Sequence, residues 1–331
     1  MNYRSFIGID VSKLTFDVHI YCSNQKKEFS NSSKGYLLLM QWLIKELSHV
    51  KEEMLVCFEH TGLYSLNLSL FLQKNAVPFV MVPALEIKRS LGVTRGKNDQ
   101  IDAQRIAAYA YLKRESLQPT VLPSQTILNL QPLLALRDKL VVDRAGFKAT
   151  FGEYKSILNQ SDNQYLMDTY QEIISALDLK IKGVEKHINE LLQKDQQVKV
   201  TYDLITGIKG IGPLTAAYLI VCTHNFTRFE SWRKFACYAG IAPFEHRSGT
   251  SIRGRNKVSH MANKQVKMLL FLSANNAVRG DKELKDYYIR RINEGKSKMS
   301  TLNIIKNKLV ARVFAVAKRQ TEFVDLRKFA A

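Results

Sequence analysis

YRSFIGID, residues 3–10, is a short apolar run that closes on an acid. A buried strand reads this way, and a carboxylate at its end is costly to desolvate unless it is paired or bound to a metal. TFDVHIYC (15–22) repeats the strand pattern after a short turn at Ser12 and Lys13, so the two read as a hairpin. Lys26 to Phe29 offers a third strand. GYLLLMQWLIKEL (35–47) has helical spacing, and MLVCFEHTG (54–62) is another buried strand ending in an acid. Leu66 to Lys74 reads as helix, VPFVMVP (77–83) as strand, and Asp99 to Leu112 as helix. This order joins an antiparallel edge to βα units. An α/β sheet of that kind places its ligand site at the carboxyl ends of strands.

Four acids occupy informative places. Asp10 and Glu59 end strands, while Asp99 and Asp102 stand three apart at a helix start (GKNDQIDAQRIAAYA), on one helical face. Converging carboxylates make an all-oxygen site suited to Mg²⁺ or Mn²⁺, not to zinc. Two such ions ~4 Å apart clamp the attacking and leaving oxygens of a phosphodiester displacement. Three of these acids also have a plain reading, whereas Asp10 has none. Asp99 is a good helix N-cap, Asp102 suits the first turn of a helix dipole, and Glu59 reads as an exposed strand end.

The rest of the chain adds a polyanion-binding signal. At about 150 residues per domain, 331 residues suggest two domains. Net charge is +19, distributed as +4 over residues 1–115, zero over 116–200 and +15 over 201–331. A basic third of this kind favours a nucleic-acid partner through counterion release. The domains follow the same division: 1–115 the α/β domain, 116–200 a helical linker or coiled coil, and 201–331 a mainly α, basic domain. Pro119, Pro123 and Pro132 punctuate the start of the middle segment as a linker. From Leu166 to Leu191, apolar residues recur at near-heptad spacing. That pattern fits a helical hairpin, a dimerising coiled coil, or an amphipathic helix packed on its own chain.

LITGIKGIGPLTAAYLI (204–220) reads as helix, glycine turn, helix, with Lys209 in the turn and Gly207, Gly210 and Gly212 permitting tight backbone. It resembles a helix-hairpin-helix motif, whose outward N–H groups bind a phosphate; a plain turn between packed helices is the alternative. YAGIAPFEHRSGTSIRGR (238–255) reads as a loop between helices, with Arg247, Arg253, Arg255 and Lys257 around Ser248. A hydroxyl among guanidinium groups suits phosphoryl transfer. On chemistry alone Ser251 is an equal candidate, and serine beside glycine is also ordinary turn composition. His246 and His260 are either acid–base partners or solvated loop histidines.

GIDVSK around Asp10, FEHTG around Glu59 and KNDQIDAQRIA around Asp99 and Asp102 resemble the insertion-sequence-110 family of transposases, whose relatives include Piv-type DNA invertases. The resemblance covers essentially the whole chain. It implies a RuvC-like, ribonuclease-H-like N-terminal domain whose DEDD tetrad maps onto Asp10, Glu59, Asp99 and Asp102. AGIAPFEHRSG resembles the family's AG-(L/I)-(T/A)-P…SG motif, which makes Ser248 the nucleophile. The chain departs from the family pattern in GRNKVSHMANKQVKMLL, with His260 and Ala262-Asn263 where Lys or Arg and Gly-Asn are common. That departure leaves the serine in place and bears on the neighbouring DNA contacts.

The resemblance implies strand exchange between donor and target DNA through a phosphoserine link, with Mg²⁺ on the tetrad. A structured guide (bridge) RNA would choose the sites, and a homodimer or homotetramer would assemble several active sites. Two rivals use the same residues differently. A metal-only junction nuclease would activate water and dispense with Ser248, and a non-catalytic nucleic-acid-binding protein would keep the acids as remnants. Scattered Cys22, Cys57, Cys222 and Cys237 exclude a disulfide scaffold and a zinc module. No apolar run approaches the ~18 residues of a membrane span, and no signal peptide precedes the first strand. The expected location is the cytoplasm, with the nucleoid.

Overall fold

The computed structural model describes residues 3–47, 51–90, 99–159, 161–248, 252–259 and 261–324, and all of their side chains except those of 99–100, 245–248 and 252–257. The chain forms two compact units, Met1–Leu122 and Pro123–Ala331.

The first unit follows the order read from the sequence. Strands β1 (Ser5–Val11), β2 (Thr15–Ile20) and β3 (Gln25–Ser30) lead into α1 (Ser33–Leu47). After a 3₁₀ turn at Lys51–Glu53 come β4 (Met54–Glu59), α2 (Leu63–Lys74), β5 (Phe79–Val82), α3 (Ala84–Ser90) and α4 (Asp99–Leu112). The short α3 has no counterpart in the sequence reading, because seven residues are too few to show a period. The sheet runs β3-β2-β1-β4-β5. β1–β2 and β2–β3 are antiparallel, whereas β1–β4 and β4–β5 are parallel. This mixed sheet with helices on both faces fits the RuvC-like expectation.

Strand alternation sorts the core. Ile7, Ile9, Phe16, Val18, Val56 and Phe58 pack with Leu39 and Leu43 of α1 and Leu68 of α2 on one face. Phe6, Leu55, Cys57, Val80 and Val82 pack with Ile87, Ile106 and Tyr109 on the other, under α3 and α4. Gly8 sits on that second face. A Cβ built there would lie 2.2 Å from the Ala103 carbonyl oxygen and 2.3 Å from the Ala107 nitrogen, so glycine alone lets α4 press against β1. The edge of β5 is covered by the chain leaving the unit: Thr120 N–H donates to the Phe79 carbonyl, and Met81 N–H donates to Thr120 Oγ1.

The second unit begins with an antiparallel pair, α5 (Gln125–Ile157) and α6 (Gln164–Lys194). At 33 residues α5 is about 50 Å long. Met167, Ile174, Ile181 and Ile188 repeat every seventh residue on the buried stripe of α6. Across the pair, Phe151 stacks on Tyr170, Arg144 bonds Asp178 at 2.5 Å, and Arg137 bonds Glu185 at 2.9 Å. Pro132 lies inside α5 and not in a linker. The Ser124 hydroxyl caps the helix by accepting from the Ile127 N–H, and burial of Ile127, Leu130 and Leu134 offsets the bond that proline forfeits.

Then follow α7 (Gln196–Thr206), α8 (Pro213–Thr223), α9 (Trp232–Tyr238), β6 (Pro243–Ser248), β7 (Ile252–Val258), α10 (Lys264–Gly280), α11 (Lys282–Asn293) and α12 (Lys298–Arg319). The expected loop at 238–255 is therefore largely a two-stranded antiparallel hairpin, β6–β7. Its strands are rich in arginine and carry little apolar alternation, so the pattern that marks strands was missing. α12 runs through the core of this unit, and Arg312 ties it to the start of α11 by bonds to Asp281 at 2.7 Å and Glu283 at 2.6 Å. Among the described residues no helix is long and apolar enough to cross a membrane.

Candidate functional site

The alternation that builds the sheet also aims the acids. Phe6, Gly8 and Asp10 alternate on the α4 face of β1, and Leu55, Cys57 and Glu59 on the same face of β4. Ile9 pairs with Phe58 in parallel register, so Asp10 and Glu59 leave neighbouring strands side by side at their carboxyl ends. α4, drawn in over Gly8, brings Asp102 to the same end. Asp10, Glu59 and Asp102 are all partly buried. Asp99 is the first residue of α4, and its side chain lies outside the described ones.

Two of these acids lie near enough to act on each other electrostatically. Burial holds the Glu59 carboxyl above the ordinary carboxylate range, and the charge of Asp102 adds to the shift. Asp102 is itself countered by Arg105, one turn along α4 at 2.9 Å. Beneath them the floor is dry: the buried Cys57 thiol is pushed up to about 12, by desolvation first and then by Glu59 and Glu86. Tyr109 donates a 2.6 Å hydrogen bond to Glu86, which fixes α4 on α3.

Two neighbours were not singled out in the sequence. Asp17 of β2 stands directly opposite Asp10 in the antiparallel register and, two residues before the buried His19, on the α4 face. The alternation of TFDVHI carried that signal. Arg105 was legible as an i,i+3 partner of Asp102. Among the described residues no three His, Cys, Asp or Glu side chains converge tightly enough to hold a metal ion. The donor set still fits a hard divalent cation, because it is all oxygen and already contains carboxylates that repel each other.

Glu59 gives a direct stability test. Its raised pKa means that the folded state disfavours the charged form. The associated penalty is absent below the usual carboxylate range and sets in as pH rises through the raised value. Glu59→Gln is therefore expected to melt higher than the parent at neutral pH in chelator, with the difference vanishing in acid. Thermal melts across pH check this, and a lower-melting variant at neutral pH would contradict it.

In the second unit, α7 and α8 are joined by the turn Gly207–Gly212. Gly210 has φ +97°, and a Cβ there would lie 2.7 Å from both Ala277 Cβ and the Ser273 carbonyl oxygen of α10. Lys209 and Gly212 are exposed, and Gly212 is the N-cap of α8 with Pro213 following. Ser248 is the last residue of β6. In the hairpin register it pairs with Ile252, Arg247 pairs with Arg253, and His246 with Gly254. Arg255 and Lys257 belong to β7. Ser251 and His260 lie outside the described residues. Cys22, Cys57, Cys222 and Cys237 are free thiols.

Two family models match this chain. One, the Transposase IS116/IS110/IS902 family, covers residues 202–289, and the other, a transposase model of the IS110 DEDD type, covers residues 7–159. The chain belongs to the IS110 family of transposases. It is a DNA recombinase of the transposase class, and DNA is its substrate. The pilin gene-inverting proteins of Moraxella lacunata and Moraxella bovis are each 27% identical to this transposase, over 97% of it and 98% of their own length. A 43.6 kDa protein of insertion element IS110 from Streptomyces coelicolor is 31% identical over 45% of this chain and 35% of its own.

Proposed function

We propose that this transposase exchanges strands between donor and target DNA through a phosphoserine link at Ser248, assisted by a divalent cation on Asp10, Glu59, Asp99 and Asp102. The observation that carries the metal half is the shared sheet face of Asp10 and Glu59, with Asp102 close enough to perturb Glu59. When bound, Mg²⁺ or Mn²⁺ supplies charge neutralisation at the phosphate oxygens. The Ser248 hydroxyl attacks phosphorus, the bond from phosphorus to one deoxyribose oxygen breaks, and that oxygen takes up a proton. A deoxyribose hydroxyl of the second duplex then reverses the step and frees the serine. Arg247, beside Ser248 on β6, and Arg253, Arg255 and Lys257 on β7 would oppose the charge building on the phosphate.

The basic C-terminal third suits the nucleic-acid backbones, with Lys209, Gly210 and Gly212 as a phosphate-binding turn. A structured guide RNA would choose the sites by base pairing, which explains how a surface built for backbone achieves sequence choice. Exchange of two duplexes needs several active sites, so the working form is a homodimer or homotetramer. These events belong in the cytoplasm, at the nucleoid.

The test is strand exchange on the element's own flanking DNA with its adjacent RNA. Ser248→Ala is expected to lose exchange while Ser251→Ala keeps it. Cutting that survives Ser248→Ala would favour a metal-only nuclease, and a parent protein that binds DNA but never cuts it would favour the non-catalytic reading.

A further inference from the structure

Among the described residues one lysine is buried. Lys306 of α12 is 6% exposed, with its Nζ 5.9 Å above the ring of Phe271 on α10. Neither Lys306 nor Lys267 of α10 has a described carboxylate within ion-pair distance. Desolvation holds the Lys306 ammonium below its ordinary pKa, and the charge of Lys267 lowers it further. Lys267 lies one turn before Phe271 on α10, on the helix face over which Lys306 Nζ sits, and two cations placed so are costly unless an anion joins them. The weak contact with Phe271 returns only part of that cost.

The position is specific. Asn303, one turn before Lys306 on α12, and Asn307, immediately after it, both donate side-chain amide hydrogens to the Ile241 carbonyl, at 2.8 and 3.0 Å. Ile241 stands two residues before Pro243, where β6 begins its run to Ser248. Gly240, at φ +63°, turns the chain there, with Ala262 only 2.3 Å from where its Cβ would be. The lysine pair thus lies at the root of the hairpin that carries the candidate nucleophile.

We propose that Lys306 and Lys267 form a phosphate subsite at the base of the β6–β7 hairpin, occupied by a backbone phosphate of the DNA duplex near the one Ser248 attacks. This rests on the reading of Ser248 given above. A phosphodiester is singly charged and fits between two ammonium groups, and contacts to the phosphate backbone carry no sequence information. The subsite therefore holds DNA of any sequence.

The experiment is binding of the full-length protein to a short duplex DNA of arbitrary sequence across a range of salt. Lys306→Met, close in shape, is expected to melt at or above the parent and to bind about tenfold more weakly. Its plot of log affinity against log salt is expected to flatten by about one unit. Lys267→Gln, at a partly exposed position, is expected to show the same loss and decides the matter if Lys306→Met fails to fold. Parent-like affinity and slope in both variants would overturn the subsite, as would a loss confined to a structured RNA probe. A parent that binds no duplex at all would overturn the DNA reading together with the subsite.

Discussion

Asp10→Asn is expected to lower strand exchange by about a thousandfold or more, the several kcal/mol that metal-assisted charge neutralisation supplies. The substitution keeps shape and removes one oxygen ligand and one charge. Asp17 faces Asp10 across the hairpin, and like charges directly opposite each other destabilise a sheet. The variant should therefore melt no lower than the parent, and its DNA affinity should hold, because the basic surface lies in the other unit. Exchange assays beside melting and binding curves separate these effects. Retained exchange in a folded Asp10→Asn protein would remove Asp10 from the reacting site.

Gly8→Val is expected to have the second large effect, although Gly8 touches no substrate. The built Cβ meets backbone atoms of α4, the Ala103 oxygen at 2.2 Å and the Ala107 nitrogen at 2.3 Å, and backbone does not rotate away. Either α4 lifts from β1 or the unit loses stability, at a cost of about 1–3 kcal/mol or more for overpacking. Lifting α4 also carries Asp102 off the sheet end where Asp10 and Glu59 stand. Exchange should collapse while DNA binding through the second unit persists, and the melting transition should fall. A Gly8→Val protein with parent-like melting and exchange would show that α4 has room to spare.

These two variants mark what the sequence makes visible. Asp10 and Glu59 were legible because a charged residue at the end of an apolar run has few other reasons to be there. The pairing of β1 with β4, which sets those acids side by side, follows from the order of elements. Gly8 was not singled out, since a glycine inside a strand shows its purpose only when the helix across it is placed. The alternation of TFDVHI puts Asp17 on the face of the buried His19, but its place opposite Asp10 is a matter of register. Pro132 misled, because a proline in an exposed sequence reads as a break until burial of Leu130 and Leu134 is known. The β6–β7 hairpin escaped notice because charged strands lack the apolar alternation that announces a strand. Lys306 is the sharpest case, since nothing in IIKNKL separates a buried lysine from a solvated one.

The most direct measurement is a search for DNA bound covalently to the protein. The full-length chain is incubated with the element's flanking DNA, its adjacent RNA and Mg²⁺, then denatured, digested and examined by mass spectrometry. The expected result is a nucleotide phosphate on Ser248, absent in Ser248→Ala and reduced in Asp10→Asn. Strand cuts with no adduct on any serine would contradict the phosphoserine mechanism and leave the carboxylates to act through water.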